Sequence, residues 1–241
     1  MGGTILNAIT VFIGTIIGLL IGQRLTAKIQ ESVITGLGLV TLFVGMSNAM
    51  QTGNVIIPLL SIVTGAIIGE LLDLAGALER FAGWLQTRFA GGGDDSDRTR
   101  FITGFVTASL VFCIGPLTFV GSIQDGMGLP IGFQQLAIKS ILDMFAGMAF
   151  AASLGIGVMF SIITVLVLQG GLALLGSALG EVMTTPMINE MTAVGGLLLL
   201  GLGFTLLDIK RPRMANFLPA LIIAPLLAVL GTALGINIYP L

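Results

Sequence analysis

The sequence predicts an all-α polytopic membrane protein of about eight transmembrane helices, in which an inverted three-helix repeat (spans one to three and six to eight) flanks a central helix pair. Three observations carry this expectation. Charged side chains make up 9% of the 241 residues and hydrophobic ones 55%, with a mean hydropathy of +1.07, whereas a soluble domain carries roughly 25% charge. Apolar stretches recur at the length of about 20 residues that crosses a hydrocarbon core of about 30 Å. Nine of the ten basic residues fall on one side of those stretches, as the positive-inside rule requires, and the tenth, Lys139, lies within one. A net charge of −2 gives no electrostatic case for nucleic acid. One cysteine and no histidine exclude a disulfide framework and leave no conventional zinc, haem or iron–sulfur ligand set, so no metal or cofactor is expected.

Residues 1–73 form the first repeat, with spans near 4–22, 33–50 and 55–73. Span one lacks a basic residue before its apolar run and is followed by Arg24 and Lys28, the reverse of a secretory signal. Asn48 is a lone polar residue in span two, suited to interhelical hydrogen bonding or to a ligand contact. Glu70 and Asp73 close span three near the cytoplasm, where solvation explains them. Residues 74–100 then make a cytoplasmic segment. Leu74, Leu78, Phe81, Leu85 and Phe89 recur at helical spacing, with Trp84 beside them, which predicts a helix lying in the membrane interface. The glycine- and aspartate-rich run from Gly91 to Asp97 reads as a flexible linker.

Residues 101–153 are the central pair, with spans near 101–123 and 134–153. Gly155-Ile156-Gly157 is the turn signal that separates it from the second repeat, residues 157–236, with spans near 157–179, 191–208 and 216–236. Gln169 is another lone polar residue, read as interhelical glue. Glu181, Glu190 and Thr184-Thr185-Pro186 are placed in the outer loop six, where the proline marks a helix start. Arg24 and Lys28 in loop one, Arg80, Arg88, Arg98 and Arg100 in loop three, and Lys210, Arg211 and Arg213 in loop seven put both termini outside the cytoplasm.

The repeat emerges at an offset of 158, which superposes Gly18 on Gly176, Gly22 on Gly180, Gly38 on Gly196 and Gly45 on Gly203. The loop after span one carries two cations and its counterpart after span six none, as opposite insertion requires. Transporters built this way hold their site near the bilayer midplane. The glycines spaced by four, Gly14/Gly18/Gly22, Gly65/Gly69 and Gly176/Gly180, are expected to let helices approach closely, within one chain or in a homo-oligomer.

Polar chemistry gathers in the central pair. Gly115-Pro116 should bend or interrupt span four, and the freed carbonyls, with Thr118, Ser122, Gln124 and Asp125, could line a pathway or be repaired by neighbouring hydroxyls. Asp125 precedes Gly126 to Pro130 and suits a loop or cap. In span five, Lys139 and Asp143 share a helix face, with Ser140 beside them. A carboxylate at the bilayer centre costs about 2.5–3.5 kcal/mol on insertion scales, so this pair is either a proton or cation site or a buried pair that fixes helix register.

The stretch from Cys113 to Gly126 (Cys-Ile-Gly-Pro-Leu-Thr-Phe-Val-Gly-Ser-Ile-Gln-Asp-Gly) resembles the signature of a bacterial membrane family known as domain of unknown function 554. Lys139-Ser140-Ile-Leu-Asp143, the segment from Gly155 to Val158, and Gln169-Gly170 resemble it too. The resemblance covers essentially the whole chain. It implies a multispan protein of the bacterial cytoplasmic membrane, and brings no activity or site residues with it.

Three functions are open at this point. A secondary transporter or ion-permeation protein, acting on a small ion or polar solute, fits the repeat, the broken span and the Lys139/Asp143 pair. A structural or assembly protein in membrane lipid fits the glycine density. An intramembrane enzyme would have to use Asp125 and Asp143 as an acid dyad, and no known aspartyl protease pattern surrounds them.

Overall fold

The computed structural model describes residues 1–22, 24–89, 95–113, 116–176, 178 and 183–234. Among these residues the chain is all-helical: α1 (Gly2–Gly22), α2 (Ala27–Ala49), α3 (Ile56–Leu71), α4 (Leu74–Phe89), α5 (Asp95–Cys113), α6 (Pro116–Gly126), α7 (Pro130–Leu154), α8 (Gly157–Leu174), α9 (Thr185–Leu206) and α10 (Ala220–Ala233), with a 3-10 turn at Met214–Phe217 before the last. Six segments are long and apolar enough to cross a membrane, or eight if two bent pairs each count as one span. One bent pair is α3 with α4, at 54°, and the other α5 with α6, at 64°. Large apolar side chains such as Phe43, Leu71 and Val167 stand exposed along the helices, a surface suited to lipid and not to water.

The eight spans read from the sequence each have a helix, with shifted ends. Residues 95–97 are not linker. They open α5, where Asp95 and Asp97 complement the positive end of the helix dipole. Gly91 to Asp94 lie outside the described residues. The turn at Gly155-Ile156 is real: Gly155 has φ +83°, a left-handed conformation that favours glycine. Arg100 donates to the carbonyl of Ser153 at 3.0 Å just before it, satisfying an end carbonyl of α7. Thr184 caps α9 and Pro186 sits in its first turn, so α9 begins six residues earlier than span seven was drawn.

The helix α4 is present, and it packs against α5 through part of its apolar face. Ala82 and Leu85 pack with Phe101 and Phe105, and Leu78 joins them, whereas Phe81, Trp84 and Phe89 are exposed. The exposed rings still touch the cluster at one edge, Phe81 on Phe105 and Phe89 on Phe160.

The chain divides into two compact units. The first holds Met1–Leu37, Leu78–Cys113 and Leu117–Glu181; the second holds Gly38–Ala77 and Val182–Leu241.

In the first unit α1 lies parallel to α7. Cβ atoms on Gly14, Gly18 and Gly22 would strike the carbonyls of Met144, Met148 and Ala152, so residue numbers rise together along both helices. In the second unit α3 and α10 are antiparallel, with Gly65 against Ala220 and Gly69 against Asn216. Helices α2 and α9 are antiparallel too: a Cβ on Gly45 would lie 2.9 Å from the Gly196 carbonyl oxygen, and one on Gly203 would lie 3.4 Å from that of Gly38. The glycine stripes of α1 and α3 are thus filled within the chain.

Candidate functional site

Helix α7 starts with Pro130, whose fixed φ suits a first turn, and runs 25 residues, so Asp143 falls near its middle. The spacing of four brings Lys139 and Asp143 together on one face, and the ammonium pairs directly with Oδ2 of Asp143. Asn7 of α1 donates its amide Nδ2 to the same Oδ2 at 3.0 Å. All three side chains are buried, Asn7 completely. Both donors converge on one oxygen. Oδ1 of Asp143 accepts no hydrogen bond among the described residues, and Oδ1 of Asn7 is buried without a partner. Ser140 is buried, but its hydroxyl donates to the Leu136 carbonyl at 2.7 Å, within its own helix.

The interrupted span four lies beside this pair. Gly132 of α7 backs onto Gln124 and Asp125, and Gly121 of α6 onto Gln135 and Leu136. Helices α6 and α7 are therefore antiparallel, and on the other side of the break Phe112 of α5 lies against Gly147 and Phe150, one to two turns along α7 from Asp143. Cys113 is buried and lies within electrostatic reach of both Lys139 and Asp143. Thr118 donates to the carbonyl of Phe112 at 3.1 Å, so one carbonyl freed at the end of α5 is repaired across the break by a hydroxyl. Gly115 lies outside the described residues; Pro116 opens α6.

Asp125 acts as a cap, on the start of α1 and not on its own helix. It accepts from the Gly3 backbone at 3.2 Å and pairs with the Met1 amine at 2.8 Å, fastening the start of α1 to the end of α6. No hydrogen bond joins it to Asp143, and each carboxylate has its own donors, which removes the geometric basis for an acid dyad. Ser122 is fully buried with its Oγ unpartnered, and the Oε1 of Gln124 is buried and unpartnered too. Asn48 belongs to the second unit, buried at the end of α2, where the backbone of Asn48 and Ala49 lies against Gly196.

Gln169, read as interhelical glue, makes no such bond. It is fully buried, and neither of its amide atoms has a partner. A Cβ built on the buried Gly170 meets nothing within 4 Å beyond its chain neighbours, so α8 has open space beside Gln169. The α7–α8 hairpin turns at Gly155-Ile156, which puts Gln169 at nearly the depth of Asp143.

Glu190 is not a loop residue. It sits inside α9, fully buried, and accepts from Thr52 Oγ at 2.7 Å and from the Gly53 backbone at 2.9 Å. At the opposite ends of these helices Arg213 bridges Glu70 at 3.3 Å and Asp73 at 2.6 Å. Among the described residues no three His, Cys, Asp or Glu side chains gather to hold a metal ion. The spacing of polar residues singled out Lys139 and Asp143. It missed Asn7 and Thr4, whose only signal is a polar side chain within a strongly apolar first helix.

Two curated relatives span the chain from end to end. It is 33% identical to the "Uncharacterized protein YqgA" of Escherichia coli (strain K12) over 96% of this chain and 97% of that one. It is 26% identical to the "Uncharacterized membrane protein YdfK" of Bacillus subtilis (strain 168), over 98% of this chain and 100% of that one. No solved structure matches. The family described as "Protein of unknown function (DUF554)" matches residues 2–229. With that match over nearly its whole length, and with six to eight helices fit to span a bilayer, the chain belongs to the DUF554 family and is a membrane protein.

Proposed function

We propose that this protein is a secondary transporter or ion-permeation protein of the bacterial cytoplasmic membrane, with Asp143, Lys139 and Asn7 as its central site. The observation that carries the reading is the half-used carboxylate. A buried pair that served only to fix register would gain by satisfying every polar atom around it. Here Lys139 and Asn7 crowd onto Oδ2 of Asp143, and Oδ1 of Asn7, next to the charge, is buried without a partner among the described residues. The nearby break between α5 and α6 supports the reading, because interrupted helices recur where transporters bind their cargo.

The inverted repeat belongs to this proposal, with residues 1–73 and 157–236 as its halves around the central pair 101–153. It is supported by the crossing of α2 and α9. At the offset of 158, Gly38 corresponds to Gly196 and Gly45 to Gly203. Gly38 lies against Gly203 and Gly45 against Gly196. Each glycine thus meets the counterpart of the other, the self-complementary pattern of a two-fold axis. Such an axis in the membrane plane is what alternating access uses.

Asp143→Asn tests the function. In proteoliposomes holding the full chain, the variant should fold and lose an ion- or pH-dependent flux that the native protein shows. Native flux in the variant would remove Asp143 from the mechanism and leave the pair as a structural element.

A further inference from the structure

Among the described residues of the first unit, the buried side-chain atoms without a hydrogen-bond partner are six oxygens, on Thr4, Asn7, Ser122, Gln124, Gln135 and Gln169, and one nitrogen, on Gln169. Four of the six are amide oxygens, which can only accept. That of Asn7 is fixed as an acceptor, because its nitrogen donates to a carboxylate. Each buried acceptor without a donor costs about 1–3 kcal/mol. The two hydroxyls and the Gln169 nitrogen can also donate, but every one of the six oxygens has a free lone pair, and oxygens gathered in one region can ligate a species that supplies positive charge.

The oxygens are also ordered in depth, and Leu136 is the reference. Gly3 of α1 and Gly121 of α6 both pack against Leu136, and Gly121 packs against Gln135 as well. Thr4, Ser122 and Gln135 are immediate chain neighbours of these contact residues, so three unpaired oxygens from three helices fall at one level. Gln124 lies nearer the Pro130 end of α7, where its backbone meets Gly132. Asn7 is one helical turn deeper than Thr4 and reaches Asp143. Oxygens therefore step inward from the Pro130 end of α7 to the unpaired Oδ1 of Asp143.

We infer that this ladder is the access path of a monovalent cation to Asp143. The inference rests on the proposed site and adds to it the chemical class of the cargo and the end from which it enters. Neutral oxygens replace the hydration shell of the cation, as carbonyl rings do in selective pores. The site is monovalent because it offers one carboxylate, already shared with the Lys139 ammonium; divalent sites use more anionic ligands. Lys139 also limits how tightly the cation is held, which lets it leave.

The experiment is cation uptake by the full-length protein in liposomes, with sodium, potassium and methylammonium as separate probes. Thr4→Val, Ser122→Ala and Gln135→Leu each remove an unpaired oxygen without changing charge. Each should raise the half-saturating concentration of the transported cation about threefold to tenfold, the size of one lost hydrogen bond, while Asp143→Asn abolishes uptake. Loss of uptake in Asp143→Asn with native half-saturation in all three other variants would overturn the ladder and keep the site. Native uptake in Asp143→Asn would overturn both. Should the variants be unstable, Ser122→Cys and Gln135→Cys give a readout independent of uptake, with the buried Cys113 as background. A cationic thiosulfonate should modify them faster than an anionic one, and the transported cation should slow it. Equal rates for the two reagents would overturn the inference.

Discussion

Lys139 and Asp143 neutralise each other inside a helix that would otherwise carry a bare charge among apolar neighbours. Removing one partner alone should be costly. Lys139→Met is expected to lower stability in detergent by about 3–5 kcal/mol, and Lys139→Met with Asp143→Leu should recover most of that loss, as read by thermal melting. Equal melting of the single and double variants would show that the pair carries no net charge coupling. Glu190 gives a second prediction at this scale. Glu190→Ala would leave the Thr52 hydroxyl and the Gly53 amide without their acceptor, and a loss of about 1–3 kcal/mol is expected from each group left unsatisfied. The same two acids show what could be read from sequence. Asp143 stood out because it sits in the middle of an apolar run with a cation four residues away. Glu190 did not, because an acid near Thr184-Thr185-Pro186 looks like loop chemistry until the cap at Thr184 shows where α9 begins.

At the scale of elements, glycine positions separate packing from mere abundance. A Cβ on Gly18 would strike the Met148 backbone, and one on Gly36 meets nothing within 4 Å. Gly18→Leu should therefore force α1 from α7 at a cost of about 1–3 kcal/mol or more. Gly36→Ala should be neutral or stabilise α2 by up to about 1 kcal/mol. Melting temperatures of the two variants should move in opposite directions, or differ widely with Gly36→Ala unchanged. Helices were readable because a span needs a fixed length of apolar residues. Helix faces were harder. The apolar wheel of α4 included Leu78 and Leu85 and left out Ala82, yet Ala82 shares with Leu85 the contact to Phe101 and Phe105. In lipid both sides of a helix meet apolar surroundings, so hydrophobicity alone stops distinguishing them.

At the scale of the whole molecule, the sorting of Lys and Arg predicts that both termini face away from the cytoplasm. Reporter fusions after loop three and at the C-terminus should give opposite signals, cytoplasmic for the first and external for the second. That the chain is built of six to eight candidate spans was accessible from sequence because the apolar runs have the length a bilayer needs. The partnership of α1 with α7 was not, since nothing local in Gly14, Gly18 and Gly22 names the helix that will fill them. That partnership bears on how the protein is made. Helix α1 leaves the ribosome well over a hundred residues before α7, on the order of ten seconds earlier at roughly 5–20 residues per second. During that interval Asn7 has no carboxylate to donate to and the glycine groove is open to lipid. A nascent chain stalled before α7 therefore presents an unfilled groove and an unpaired amide to the membrane, and completion of α7 is the step that covers both.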